Sequence, residues 1–203
     1  GEQSWHKMIA LVDMNCFFAQ IEQQDYPYWR NRPVGVTNGK LGSTIITASY
    51  EARSYGVKTG MRLKEARQLC PDIIQAPSRP NRYADVPSAI MESLLAISPT
   101  VEVYSVDEAF LDLTDCQSIY KGAEHIKDTI SEVSGLTCSV GISGDKTTAK
   151  FAAKLNKPDG LTIIEPWNAE ARLANEAVTE LSGINTGIAS FLAQYGIYKC
   201  GDM

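Results

Sequence analysis

The chain is short of the features that would place it in several common classes. No apolar run approaches the roughly 20 residues that span a bilayer, and the start, GEQSWHK, is polar rather than a basic stretch leading into a hydrophobic signal region. A cytoplasmic protein without a membrane partner is therefore expected. Only two histidines occur, His6 and His125, which leaves little room for imidazole acid–base chemistry. The five cysteines (Cys16, Cys70, Cys116, Cys138 and Cys200) are odd in number, widely spaced and never in a C-x-x-C pair. That pattern speaks against a disulfide framework or a zinc ribbon and leaves reduced packing residues. Basic charge is not in excess either: 19 Lys and Arg stand against 24 Asp and Glu, a net charge of −5. Nucleic-acid binders usually carry a basic face, so here the distribution of charge has to decide more than its sum.

What is present is enough apolar residue, 44% of 203, to bury a core for one domain or two small ones. MIALVDMN reads as a buried strand running straight into a helix with Phe17, Phe18 and Ile21 on its apolar face. Residues 33–36 and 43–48 read as two strands around the turn Asn38-Gly39-Lys40, followed by short helices over 50–55 and 63–70, the second closed by Pro71. A helix over 81–97, strands over 101–106 and 109–113, a helix over 118–133, a strand over 138–142, a helix over 145–156 and a strand over 161–164 complete the pattern. Strand, helix, strand, strand, helix, strand is the order of a split βαβ, ferredoxin-like α+β fold, with the lobe over 33–76 inserted after the first strand and helix. Pro166-Trp167 marks a junction to a last region of different character.

Against this background two acidic patches stand out: Asp13, ending the apolar run Ile9-Ala10-Leu11-Val12, and Asp107-Glu108 inside VEVYSVDEAFLDLT. Either patch alone is explained by acids that face water in turns after strands. Both together interrupt strand patterns, and the ferredoxin-like topology lays the first strand beside the one after the hairpin, which makes the patches one site. Carboxylates in such places cost several kcal/mol unless a cation compensates, and a hard divalent metal suits a three-carboxylate cluster. Lys146, Lys150 and Lys154 share one face of the helix over 145–156, with Lys157 beyond it; a solvated stripe and a phosphate-binding surface both fit that spacing. Arg53, Lys58, Arg62, Lys64 and Arg67 form a second basic concentration in the inserted lobe. Acidic corner and basic contacts together point to phosphoryl or nucleotidyl transfer with two metals. Gly35 to Leu41 and Gly141 to Thr147 imitate phosphate loops but miss the G-x-x-x-x-G-K-S/T spacing.

Four blocks resemble the Y-family translesion DNA polymerases, the bacterial polymerase IV-like branch most closely: D-M-N-C-F-F-A (residues 13–19), T-A-S-Y-E-A-R (47–53), Y-S-V-D-E-A-F-L-D (104–112), and S-V-G-I-S with K-x-x-A-K and N-K-P-D-G (139–160). The resemblance runs from about Met8 to the end and implies a ferredoxin-like palm (1–16 and 79–165), a small α/β fingers insertion (17–78) and an incomplete helical thumb (166–203). It further implies a template-directed DNA polymerase that adds dNTPs to a primer 3′-hydroxyl in DNA damage tolerance and repair, using two Mg2+ ions for which Mn2+ or Ca2+ can substitute. Asp13, Asp107 and Glu108 match the metal-binding catalytic carboxylates, with the Met14 carbonyl as a further ligand. Phe18 matches the steric gate and Phe17 its aromatic neighbour. Thr47, Tyr50, Arg53 and Lys157 match triphosphate contacts, while Asn38 and Ile46 fall in the roof over the nascent base pair.

Two positions depart from the pattern: Asn15 stands where many relatives have a second Asp, and Asn185 replaces a glycine in a stretch, 181–195, that resembles a helix-hairpin-helix. The chain stops at Met203, so the little-finger domain and any sliding-clamp contact are expected to lie outside it. Gly1 in place of Met is read as truncation by design. A nucleotide cyclase shares such a palm and its paired carboxylates but not the fingers or thumb, and a non-catalytic DNA-repair scaffold would not need all three acids. The geometric expectation is that the three carboxylates converge within reach of a shared ion, with Lys157 and Arg53 facing the same space.

Overall fold

Ile9-Ala10-Leu11-Val12 is apolar at every position, the pattern of a strand covered on both faces. In the computed structural model, which describes residues 3–115 and 118–179, that run forms β1 (Ile9–Met14), the middle strand of a five-stranded sheet. The chain then folds as α1 (Phe17–Asp25), β2 (Val34–Thr37), β3 (Ile45–Ala48), α2 (Tyr50–Arg53), α3 (Leu63–Leu69) and β4 (Ile74–Pro77). It returns through α4 (Pro80–Ile97), β5 (Val101–Ser105), β6 (Glu108–Asp112), α5 (Ile119–Ser134), β7 (Cys138–Ser143), α6 (Lys146–Leu155) and β8 (Leu161–Ile163) to α7 (Ala169–Thr179). The strand order β5-β6-β1-β7-β8 contains the ferredoxin-like arrangement, with β8 added parallel to β7 across α6. The α+β reading is borne out.

Period-two alternation sorts β1 between two layers. Ala10, Val12 and Met14 pack with Ile90 and Leu94 of α4 and Ile126 and Ile130 of α5. Leu11 faces the other way, joining Phe110, Ala149 and Ala153 under α6. Asp13 shares the parity of Leu11 and so belongs to the α6 side. That helix lies close because Gly141 has no side chain: a Cβ there would stand 2.1 Å from the Ala149 carbonyl oxygen and 2.2 Å from the Ala153 nitrogen. Asp145 caps α6 by accepting from the Thr148 N–H at 2.7 Å, as Ser118 caps α5 through Lys121 N–H.

The inserted lobe is built on a second sheet, β3-β2-β4, with its own core of Ile45, Ala48, Ala52, Val57, Leu63, Ala66, Cys70 and Ile73. β2 and β3 pair antiparallel as expected, while β4, which pairs parallel with β2, departs from the sequence reading. Its four residues carry no length signal, end in Pro77 and pair with a strand 40 residues away. After β8, a turn at Pro166–Asn168 leads into α7, and Leu173 packs with Phe151, Ala152 and Ile164. The expected helix-hairpin-helix over 181–195, Asn185 included, lies outside the described residues. Among the described residues no helix is long and apolar enough to cross a membrane.

Candidate active site

Three strand ends meet where β1 stops. Asp13 is paired across the sheet with Glu108 on one side and Ser139 on the other, and the Met14 N–H donates to the Asp107 carbonyl at 2.8 Å. The two acidic patches, nearly a hundred residues apart in sequence, are thereby one corner. Cys16 then takes a left-handed backbone (φ 32°), an unfavoured state for a non-glycine, and turns the chain sharply into α1. This reversal sets Phe17 and Phe18 beside the acids.

Burial governs the electrostatics of the corner. Asp13 is 4% exposed; desolvation pushes its carboxyl up, the Lys157 ammonium ion-paired to its Oδ2 opposes this, and neighbouring Asp107 adds to it. Glu108 is likewise raised by burial and by Asp13, with Lys150 Nζ 3.6 Å from its Oε2 pulling the other way. Lys154, an exposed residue whose ammonium is only partly desolvated, is lowered by that desolvation and by the like charges of Lys150 and Lys157. Asp107 Oδ1 accepts from the Ser105 hydroxyl at 2.9 Å. Each acid thus has a partner of its own, and among the described residues no three acidic, His or Cys side chains are gathered closely enough to enclose an ion. The expected convergence is met in neighbourhood and not in side-chain aim. The donor set nevertheless suits a hard divalent cation: three carboxylates in a partly dry corner, two of them raised by burial and by like charge.

Facing the corner is a cavity of about 360 Å³. It is lined by Asp13, Met14, Asp107 and Lys157, by Phe17 and Phe18 of α1, and by Thr47, Tyr50 and Arg53. Of the residues expected to hold metal, sugar or triphosphate, all but Glu108 line it; Glu108 lines an apolar hollow together with Met14, Ile90 and Asp107. Ile46 is in the wall as expected and Asn38 is not, whereas Cys16, Thr59 and Val106 were not foreseen. Ser49 caps α2 through the Ala52 N–H, and Arg53 Nε donates to the Ala48 carbonyl at 2.9 Å with its guanidinium 4.8 Å from the Tyr50 ring centre. Among the described residues the buried Tyr50 hydroxyl has no hydrogen-bond partner, and the Asn15 amide lies close by.

Phe18 does not stand alone. Its ring stacks on Tyr83 at 4.4 Å and 14°, and the Tyr83 hydroxyl donates to Glu22 Oε1 at 2.6 Å. Arg79 Nε donates to the same oxygen at 2.8 Å, while Arg79 and Arg82 together hold Asp25. Glu22 is 1% exposed and needs these partners. Sequence reasoning missed this clamp, although Glu22 and Asp25 on one helical face and R-x-x-R-Y at 79–83 are the available signal. The lysine stripe resolves unevenly: Lys146 pairs with Glu102 and lies over Phe110, Lys150 serves Glu108 and Tyr104, and only Lys157 reaches the cavity. Of the lobe's basic residues, Arg53 lines this cavity, while Lys64 and Arg67 line a separate hollow with Lys40.

The sequence model of the impB/mucB/samB family matches residues 12–154. The chain belongs to that family. DNA polymerase IV of Shewanella oneidensis is 36% identical over an alignment that covers 97% of this chain and 57% of the relative. The structure of DinB from Sulfolobus solfataricus superposes with a TM-score of 0.80 at 34% identity, covering 95% of this chain and 58% of that one. A Y-family DNA polymerase chimera of Dbh and Dpo4 gives 0.76 at 34%, covering 83% and 52%. The Y-family resemblance read from the four sequence blocks is borne out, and the chain spans little more than half the length of these relatives.

Proposed function

We propose that the chain is the catalytic core of a template-directed, translesion-type DNA polymerase that transfers deoxynucleotides onto a primer 3′-hydroxyl with release of pyrophosphate. The carrying observation is the single cavity in which Asp13 and Asp107, the Phe17–Phe18 wall and the Tyr50–Arg53–Lys157 cations and hydroxyl face one another. Residues 1–16 and 79–165 act as palm, 17–78 as fingers and 166–203 as the beginning of a thumb.

Arg53 and Lys157 supply positive charge for a triphosphate, and the partnerless Tyr50 hydroxyl supplies a donor for one of its oxygens. Phe18, braced by Tyr83, fills the space a ribose 2′-hydroxyl would need. Asp13, Asp107, Glu108 and the Met14 carbonyl would hold two Mg2+ ions, whose chemistry is to neutralise the triphosphate and to acidify the primer hydroxyl. Primer–template DNA is the macromolecular partner, a sliding clamp is engaged through a region outside this chain, and the cytoplasm is the compartment.

Single-nucleotide insertion on a primer–template in Mg2+ tests the reading. Asp107→Ala and Glu108→Ala should each reduce insertion about 100-fold or more, since metal-borne charge stabilisation is worth several kcal/mol. Equal activity in all three proteins removes the catalytic assignment, and product formed without template points to cyclase chemistry instead.

A further inference from the structure

Asn15 is 1% exposed, two residues beyond Asp13, and its amide is engaged at both ends. Nδ2 donates to the Ser139 hydroxyl at 2.9 Å; Oδ1 accepts from the Asp159 backbone N–H at 2.8 Å and from the Thr137 hydroxyl at 3.2 Å. An N–H donor at Asp159 demands oxygen opposite it, so the amide can face only one way. Asp159 belongs to the turn Lys157-Pro158-Asp159-Gly160, whose first residue sends its ammonium to Asp13.

That turn is held from the far side as well. Lys127 Nζ donates to the Asp159 carboxylate at 2.7 Å and to the Cys138 carbonyl at 2.6 Å. Asp159 is left-handed (φ 54°), and a Cβ on Gly160 would lie 1.8 Å from the Asn156 carbonyl oxygen. The backbone around Lys157 is therefore tightly constrained: the Gly160 N–H donates to the Ser139 hydroxyl of β7 at 3.4 Å, and Asn15 is the side chain that ties the turn to the end of β1 beside the Lys157–Asp13 ion pair. A lysine ammonium rides on a flexible four-carbon stem, so a fixed Cα is what makes its arrival at a defined point efficient.

We propose that Asn15 is the positioning residue for Lys157: it mounts the phosphate-binding lysine on the same strand end as Asp13, and thereby sets nucleotide affinity without touching the nucleotide. The inference rests on the nucleotide-binding reading above. Because Asn15 also lies near the Tyr50 hydroxyl, the competing route runs through Tyr50, and coupling to Lys157 separates the two.

The test is calorimetric titration of dATP in Mg2+ into the whole chain, Asn15→Ala, Asn15→Asp, Lys157→Ala and the Asn15→Ala/Lys157→Ala double variant, with hydrogen exchange of the 157–160 amides measured alongside. Lys157→Ala should weaken dATP about 10- to 100-fold, the loss of one charge-assisted hydrogen bond. Asn15→Ala should weaken it about 5- to 10-fold and speed exchange at Asp159, Asn15→Asp should restore both because a carboxylate oxygen still accepts from that N–H, and the double variant should be no weaker than Lys157→Ala alone. Asn15→Ser, too short to reach Asp159 yet polar beside Ser139, is carried in parallel with the same expectations in case the alanine variant does not fold. Losses that multiply in the double variant, or an Asn15→Ser protein with unchanged affinity and unchanged Asp159 exchange, overturn the inference alone. Failure of the unaltered chain to bind dATP overturns the nucleotide reading and this inference with it.

Discussion

Gly141→Ala isolates what the close approach of α6 contributes. No left-handed backbone is involved at Gly141, so the objection to a methyl group is crowding. The new Cβ would lie 2.1 Å from the Ala149 oxygen, 2.2 Å from the Ala153 nitrogen and 2.8 Å from the Ala153 Cα, where ordinary contact begins at 3.4 Å. Something must move by roughly 1 Å, and β7 is the less free to do so, being paired with β1 on one side and β8 on the other. The helix is displaced, and Ala149 and Ala153 are lifted from Leu11 and Phe110. Overpacking costs about 1–3 kcal/mol, and a collision with helix backbone at three atoms belongs at the upper end, about 3 kcal/mol. For a chain of this length that lowers Tm by about 6–12 °C. Urea denaturation followed by circular dichroism gives the stability change directly. Gly39→Ala serves as the control, because its φ of 73° brings strain with nothing within 4 Å, worth about 1 kcal/mol. A Gly141→Ala protein within 1 kcal/mol of the parent, or no worse than Gly39→Ala, would falsify the claim that this glycine exists for close packing.

If Phe18 acts as the proposed sugar gate, Phe18→Ala should lower the preference for dATP over ATP in single-nucleotide insertion by about 10- to 100-fold; unchanged sugar selectivity removes the gate role. Asp25 gives a pH prediction. Hydrogen bonds from Arg82 first, and then Arg79, hold its carboxyl below the usual aspartate range against the opposing effect of burial. A depressed folded value means that its stabilisation is fully present above about pH 4, the unfolded value, and drains away as pH falls through the folded one. The stability gap between the parent chain and Asp25→Asn should therefore be constant from pH 5 to 7 and narrow below pH 4, and a gap that widens on acidification contradicts the assignment.

What was legible in the sequence was legible for local reasons. The unbroken apolar run before Asp13 reads as a doubly covered strand, the helix expected over 118–133 is found as α5, and the strand–helix order alone implies that β1 and β6 are neighbours. What stayed hidden is carried by long-range pairing. β4 has no signal of its own until β2 lies beside it. Evenly spaced lysines on α6 look alike in sequence, yet Glu102 takes Lys146 and Glu108 takes Lys150, because β5 and β6 present those acids at different heights along the helix. The Glu22–Arg79–Tyr83 clamp joins residues 57 and 61 positions apart. Carboxylate aim was also beyond reach, since a side chain turns to whichever donor its neighbours present, Lys157 for Asp13 and the Ser105 hydroxyl for Asp107.

The site is better understood as a consequence of strand register than of its own residues. Asp13 lies opposite Glu108 and Ser139 only because Leu11 lies opposite Phe110 and Gly141. A slip of one residue would send Asp13 into the apolar layer under α4 and α5 and leave Met14 facing the lysines. Nothing polar in the corner could resist that slip unaided: the ion pairs there join flexible lysines to acids and tolerate several geometries. The resistance comes from below, where Leu11 and Phe110 fit beneath Ala149 and Ala153 and Gly141 admits the helix backbone. Changes buried under α6, well away from any charge, should consequently behave as site mutations. A change at Lys146, which meets Glu102 at the sheet's outer edge, should leave the corner as it is.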